Sequence, residues 1–242
     1  MSVVPYRSTA YKGNVSFTLL RKRIESTLND VPIDVQRRDV TGYEISYGHR
    51  QYVGQTVLGV GGGVRGTLPQ YSDQPGYVYG DSDWSGHSTI FTGNVGIYIP
   101  FKVADESFTY QGNWQIQHAK TTIVPADYFT IGNRYAVRGF DGQMTLAAED
   151  GWTFRNDLSL NLERLTGAPG QQLYTGMDVG RVGGPSAASL SGRTLVGAVA
   201  GVRGRFPMPY INASYDLSVG WPLKKTRISE DCNHRVFHGG DA

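Results

Sequence analysis

Apolar and polar residues alternate along several long segments of the chain. From Ser107 to His118, most even positions are apolar, whereas the odd positions carry Ser, Thr, Gln or Asn. The same alternation recurs from Gly151 to Glu163 and from Ile211 to Trp221. Successive side chains of a β-strand point to opposite faces, so a period of two predicts strands, whereas a helix repeats every three to four residues. The pattern therefore predicts an all-β chain.

The alternating segments define nine strands and a partial tenth. They are predicted at 14–24, 34–50, 55–67, 87–100, 107–122, 151–163, 171–182, 193–206 and 210–223, with the tenth inside 3–11. Most are longer than an ordinary strand, and their lengths match the roughly 9–11 tilted residues that cross a bilayer. Short turns and long loops alternate between them, as is typical of outer-membrane barrels.

The two faces of these predicted strands differ in composition. The polar face is rich in Gln, Asn, Ser, Thr and Gly, which suits a hydrated barrel lumen better than a solvent-facing surface. Aromatic residues assigned to the apolar face near strand ends are expected at the two membrane interfaces; they are Tyr98, Tyr110, Trp152, Tyr215 and Trp221. A soluble β-sandwich also alternates, so the pattern alone leaves that class open.

The net charge and the residue composition of the chain argue against several classes of function. The net charge of the 242 residues is only +2, which argues against a nucleic-acid partner. The single cysteine, Cys232, excludes an internal disulfide, and no apolar run is long enough for a transmembrane helix. His234 and His238 have ligand spacing but lie in a segment without a helical pattern, so no metal and no cofactor are predicted.

The longest connection, residues 123–150, contains the candidate chemistry. It is rich in aromatic and apolar residues, so we expect it to fold back into the barrel rather than extend into solvent. Arg138 lies in an apolar context, and a buried guanidinium needs a carboxylate partner. Asp178 is a candidate, because it lies on the polar face of the predicted strand 171–182 between Gly176 and Gly180. Spacing alone favours the alternative that the two are unrelated surface residues.

These residues carry a family resemblance. Val137-Arg138-Gly139-Phe140 resembles the (V/I)RG(F/Y) tip motif of sixteen-stranded outer-membrane transporters and assembly barrels. The longer run GNRYAVRGFDGQMTLAAEDGWTFRNDL is similar to the two-partner secretion transporters, the hemolysin secretion/activation proteins. Three further runs resemble the same family over most of residues 14–223: LYTGMDVGRVGGPSA, VQRRDVTGYEISYGHRQYVGQ and YDLSVGWPL.

The resemblance implies an antiparallel transmembrane β-barrel. We expect an incomplete one, with about 9–10 of the sixteen strands in residues 1–223, followed by an aberrant tail at 224–242. We expect these residues to lack counterparts of the family's signal peptide, plug helix, periplasmic POTRA domains and first strands, as in an incomplete gene product or an excerpt of one. By resemblance, Arg138 is the tip arginine and Asp178 its lumen-wall partner. The remaining motif residues are Val137, Gly139 and Phe140 at the tip and Gly180 on the strand; Gly176 replaces the family's aromatic residue.

The resemblance also implies a function. It predicts secretion of a large partner exoprotein (a hemolysin, adhesin or toxin) through the lumen, without ATP, cofactor or catalytic residue. The implied partners are that exoprotein, outer-membrane lipid and the barrel assembly machinery, in the outer membrane of a Gram-negative bacterium. We expect no working pore from this chain alone, because open strand edges are costly in lipid.

Other function classes stay open at this stage. They are a general porin or autotransporter barrel and, less favoured, a soluble β-rich enzyme or binding module. Glu149, Asp150 and Asp157 could supply a glycosidase-type carboxylate pair, but nothing in the sequence specifies a substrate cleft. We interpret these acids as loop and lumen polarity.

Overall fold

The structure is a computed structural model that describes residues 1–25, 27–28, 31–32, 38–72, 87–140, 144–207 and 212–224. Its dominant element is a ten-stranded antiparallel sheet. The strands of this sheet, in spatial order, are β1 (Ser2–Arg7), β2 (Tyr11–Ile24), β5 (Arg38–Val53), β6 (Thr56–Thr67), β7 (Thr89–Val103), β8 (Glu106–Ala119), β11 (Asp150–Asn161), β12 (Gln172–Gly183), β13 (Thr194–Pro207) and β14 (Asn212–Lys224).

This sheet confirms the predicted fold class. Each of the ten predicted segments overlaps one strand of the sheet, and all neighbours pair in antiparallel register. Within the described residues β1 and β14 do not pair with each other, so the sheet is not closed. The tail predicted at 224–242 lies outside the described residues, apart from Lys224 at the end of β14.

Four short strands and one helical turn lie outside the predicted pattern. β3 (Thr27–Leu28) pairs with β4 (Val31–Pro32), and β9 (Phe129–Ile131) pairs with β10 (Leu146–Ala148). The helix α1 (Glu163–Thr166) is one turn long and ends at Gly167, which has φ 69°. These pieces are too short to produce a periodic signal. Among the described residues, no helix is both long enough and apolar enough to cross a bilayer.

Strand β12 shows how the two faces separate. Tyr174 and Asp178 are buried on the face that carries the 123–150 loop, whereas Leu173 and Met177 are about half exposed on the opposite face. This is the alternation that the sequence predicts. The prediction for Tyr98 is wrong: it lines the same inner cleft as Arg155 and Asp157, because it shares the parity of lumen-facing residues on β7.

The main hydrophobic cluster lies between the 123–150 loop and the sheet. Its buried members come from the loop, from β12 and β13, and from the connection between those two strands: Ile131, Ala136, Val137, Leu146, Ala148, Val182, Ala187 and Leu195. Phe129, Phe140, Met144 and Leu190 pack around it. The loop is therefore held against the inner face by apolar burial, and we refer to it below as the inserted loop.

Candidate functional site at the tip of the inserted loop

Local hydrogen bonds reverse the chain just before the tip of the inserted loop. The side-chain oxygen of Asn133 accepts the backbone N–H groups of Tyr135 and Ala136, both at 2.9 Å. An asparagine that captures backbone donors in this way forms a tight turn without a sheet or helix ladder. Val137, Arg138, Gly139 and Phe140 follow immediately, and we refer to these four residues as the loop tip.

Arg138 and Asp178 form a multiple hydrogen-bonded ion pair. The guanidinium donates from Nε to Oδ2 at 2.6 Å and from Nη2 to Oδ1 at 2.7 Å. The backbone N–H of Arg138 donates to the same carboxylate at 2.9 Å. Only 1% of the Asp178 side chain is exposed, so these charge-assisted bonds replace its hydration. The carboxylate thus fixes both the side chain and the backbone of the loop tip.

Asp157 is a second carboxylate partner of Arg138. Nη2 of Arg138 lies 2.5 Å from Oδ1 of Asp157, on the neighbouring strand β11. Burial disfavours the charged guanidinium, but the hydrogen bonds to Asp178 and Asp157 outweigh this cost and raise the pKa of Arg138. The arginine therefore remains charged and bridges two adjacent strands of the wall.

Two further arginines of the wall surround this pair of carboxylates. Arg155 lies 3.9 Å from Asp178 and donates to the backbone carbonyl of Tyr135 at 2.7 Å. Arg203 lies 3.8 Å from Asp157, and its guanidinium stacks 4.9 Å above the ring of Tyr174. The site is therefore a row of alternating charges across β11, β12 and β13, with Arg138 inserted from the loop.

Glycines in the wall provide the space for the loop tip. A side-chain carbon at Gly180 would lie 2.7 Å from Val137 Cγ2, and one at Gly197 would overlap the carbonyl oxygen of Arg138. Gly220, on β14, would place such a carbon 2.9 Å from the backbone of Gly139. At Gly197 and Gly220 backbone therefore packs on backbone, whereas Gly180 makes room for the side chain of Val137, and a larger residue would collide at each position.

The residues predicted for the site are close together in the structure. Val137 is fully buried in the hydrophobic cluster, Phe140 packs against that cluster, and Gly139 adopts φ 94°. Gly176, the departure from the family pattern, lies beside the ion pair: a carbon there would be 2.8 Å from Nη2 of Arg138 and would also contact Asp157. Its missing side chain leaves room for the second carboxylate contact.

Sequence reasoning missed Asp157, Gly197 and Gly220. Asp157 was interpreted as general lumen polarity, although its position opposite Gly176 places it next to Asp178 on the inner face. The pairing of Gly176 with Val199 and of Val199 with Gly220 likewise brings β13 and β14 under the loop tip. Strand register carries this information, and register cannot be read from one strand alone.

The other acids considered from the sequence lie elsewhere. Asp150 interacts with His118 at 3.1 Å, and Glu149 accepts hydrogen bonds from Ser186. Neither forms a carboxylate pair with Asp157. Within the part of the chain that the structure describes, no group of three or more His, Cys, Asp or Glu residues could hold a metal ion.

A family model and two curated relatives point to the same protein family. The model of the haemolysin secretion/activation protein ShlB/FhaC/HecB family matches residues 1–204. The outer membrane transporter CdiB-2 of Burkholderia pseudomallei (strain 1026b) is 36% identical over 132 residues, which is 54% of this chain and 22% of that protein. The hemolysin transporter protein HpmB of Proteus mirabilis is 23% identical over 183 residues, covering 73% of this chain and 31% of the relative.

Solved structures give the same fold. CdiB from Acinetobacter baumannii aligns with a TM-score of 0.71 and 28% identity, covering 91% of this chain and 41% of that chain. CdiB from Escherichia coli aligns with a TM-score of 0.77 over 94% of this chain and 41% of its own length; at 20% identity it shows the fold alone.

The chain thus spans between about a fifth and two fifths of the length of these relatives. The two curated relatives are transporters rather than enzymes. The family match covers most of the chain, and the antiparallel sheet and its solved neighbours agree with it. The chain therefore belongs to the haemolysin secretion/activation protein family, the two-partner secretion transporters of the Gram-negative outer membrane.

Proposed function

We propose that this chain forms part of the barrel wall of a transporter that secretes a large partner exoprotein through its lumen. The observation that carries the proposal is the buried Arg138, held by Asp178 and Asp157 on two adjacent strands. Its role is to keep the inserted loop at a fixed place on the inner wall. Transport, rather than catalysis, is the activity that this arrangement supports.

The physical case for this role lies in the cost of moving the loop. A buried ion pair adds little net stability, but separating its partners leaves an uncompensated charge, which costs about 3–5 kcal/mol. The ion pair therefore fixes the position of the inserted loop more than it adds to the stability of the fold. A fixed loop leaves a defined passage beside it, through which an unfolded exoprotein passes without ATP, driven by its own folding outside the cell.

We further infer three partners. They are the exoprotein, the lipid around the apolar outer face and the machinery that assembles outer-membrane barrels. Leu217 and Val219 on β14 illustrate the outer face, since each is about two-thirds exposed. We also propose that this chain needs further wall strands to form a working pore, because the unpaired edges of an open sheet lose several kcal/mol per backbone group in lipid.

The test is a chimaeric transporter in which this chain replaces the matching segment of the Burkholderia pseudomallei relative. We expect Arg138→Ala and Asp178→Ala each to lower surface delivery of that relative's partner exoprotein at least about tenfold. Arg164→Ala is the matched control, because its side chain is 62% exposed and lies in the β11–β12 turn, at the end of β11 away from the start of the inserted loop.

One measurement of barrel formation and one conservative variant make this result interpretable. Heat-modifiable migration of the chimaera in isolated outer membranes reports whether each variant still forms a barrel. Arg138→Lys keeps the positive charge but loses the forked geometry, so we expect export between those of Arg138→Ala and the unmodified chimaera. Normal export by both alanine variants would contradict the proposed role of the loop tip.

A further inference from the structure

A second buried carboxylate lies at the base of the inserted loop. Glu149 is 6% exposed and directly precedes β11. Its Oε1 accepts the hydroxyl of Ser186 at 2.6 Å, and its Oε2 accepts the backbone N–H of Ser186 at 3.1 Å. Ser186 belongs to the connection between β12 and β13, so this contact joins two different loops at the same end of the sheet.

The Glu149 carboxylate is stabilised by hydrogen bonds rather than by an ion pair. Among the described residues, no Lys, Arg or His side chain lies within ion-pair distance of its carboxylate. A buried carboxylate without a neighbouring cation must be compensated by hydrogen bonds, because burying a bare charge is very costly. Two donors of Ser186 supply that compensation. The position of the β12–β13 connection is therefore tied to the acceptor oxygens of Glu149.

The arm of the inserted loop before the tip and the arm after it both form hydrogen bonds with Ser186. Tyr128, on the arm that enters the barrel, forms a 2.7 Å hydrogen bond between its hydroxyl and that of Ser186. Glu149 belongs to the arm that returns. Gln117 of β8 ties the same two arms together, since its Nε2 donates to the carbonyls of Asp127 at 2.9 Å and Glu149 at 3.1 Å. We refer to Tyr128, Glu149 and Ser186 as the outer clasp.

The β12–β13 connection is shaped to receive the clasp. Gly184 adopts φ 103°, and a side-chain carbon there would lie 2.6 Å from Oε2 of Glu149. Ala187, one residue after Ser186, is fully buried in the same hydrophobic cluster as Val137 of the loop tip. The clasp and the loop tip are therefore connected through one continuous packed body.

From this geometry we propose that Glu149 is a positioning residue for Arg138. The outer clasp fastens the β12–β13 connection to both arms of the inserted loop, so that the connection and the loop tip open and close as one unit. The proposal goes beyond the export function, since it concerns the mechanical coupling of two loops and holds whether or not an exoprotein is present.

Hydrogen exchange of two amides tests this coupling in the chimaera, purified in detergent without its exoprotein. The Ser186 amide donates to Glu149 and reports the clasp, while the Arg138 amide donates to Asp178 and reports the loop tip. In Glu149→Ala we expect both amides to exchange at least about tenfold faster. Faster exchange at Ser186 with an unchanged Arg138 amide would overturn the proposal, and so would no change at either amide.

Three further variants separate coupling from misfolding. Ser186→Ala removes only the hydroxyl that both arms share, and we expect the same paired increase, about fivefold. Glu149→Gln keeps an acceptor oxygen, so both amides should stay within about threefold of the unmodified chimaera. Glu163→Ala, in the exposed helical turn, is the matched control and should change neither amide. A paired increase in Glu163→Ala would also overturn the proposal, because it would show general loosening.

Discussion

The inner face of the sheet has two regions that look alike in sequence and differ in structure. On the open wall of β5, β6 and β7, Gly59 and Gly96 have no atom closer than 3.9 Å to the site of an added side-chain carbon. On the loop-bearing wall of β12, β13 and β14, a carbon at Gly180 or Gly197 would collide with the loop tip. Both regions are glycine-rich strands facing the lumen.

The difference shows that glycine has two separate purposes in this wall. On the open wall Gly59 and Gly96 leave free width, whereas on the loop-bearing wall Gly197 and Gly220 allow backbone to approach backbone. The loop-tip arginine adds charge contacts to Asp178 on this wall and to Asp157 on the adjoining strand β11. The four predictions below test this contrast, in order of decreasing effect.

Removing the deeper carboxylate should have the largest effect. Asp178→Ala leaves Arg138 with only one carboxylate and frees its backbone N–H, so we expect a local loss of about 3–5 kcal/mol. Exchange of the Arg138 amide in the chimaera measures it. Asp105→Ala is the control, because that side chain is 92% exposed. Equal protection in the two variants would show that the contact does not hold the loop.

A single methyl group should distinguish the two walls. Gly197→Ala would overlap the carbonyl of Arg138, and we expect about 1–3 kcal/mol of overpacking cost, read from faster proteolysis of the inserted loop. Gly59→Ala is its matched partner on the open wall and should leave cleavage unchanged. If both substitutions behaved alike, the contrast between the walls would fail.

Asp157→Asn should have a smaller effect than loss of Asp178. The amide keeps an oxygen for Nη2 of Arg138, and the three bonds to Asp178 remain, so we expect about 1–2 kcal/mol. Combining it with Asp178→Ala should cost more than the sum of the two single variants, because Arg138 would then lack any carboxylate. Additive losses in amide exchange would show that the two acids act independently.

The smallest effect is expected at the exposed turn. Arg164 lies 3.3 Å from Glu106 and is 62% exposed, so Arg164→Ala should change the stability of the chimaera by less than about 1 kcal/mol. Thermal unfolding at low and at high salt measures it. A loss as large as that of Asp157→Asn would mean that burial is not what separates strong from weak pairs in this chain.

The strands could be predicted from the sequence because alternation is a local property. Ser107–His118 reads as a strand without knowledge of its neighbours, and it lies entirely within β8. The pairing of Arg138 with Asp178 depended on the family resemblance, since no local rule links positions 40 residues apart. Asp157 and Gly220 required the register of several strands, and β9 and α1 were too short for any period.

The contact between Gly139 and Gly220 has a consequence for the order of folding. Gly220 lies on β14, two strands beyond the one that carries Asp178, so the floor beneath the loop tip is complete only when three successive hairpin partners are in place. Arg138 finds both carboxylates on β11 and β12, but the backbone of the tip also packs on β13 and β14. We therefore expect the tip to reach its complete set of contacts only after β14 has paired with β13.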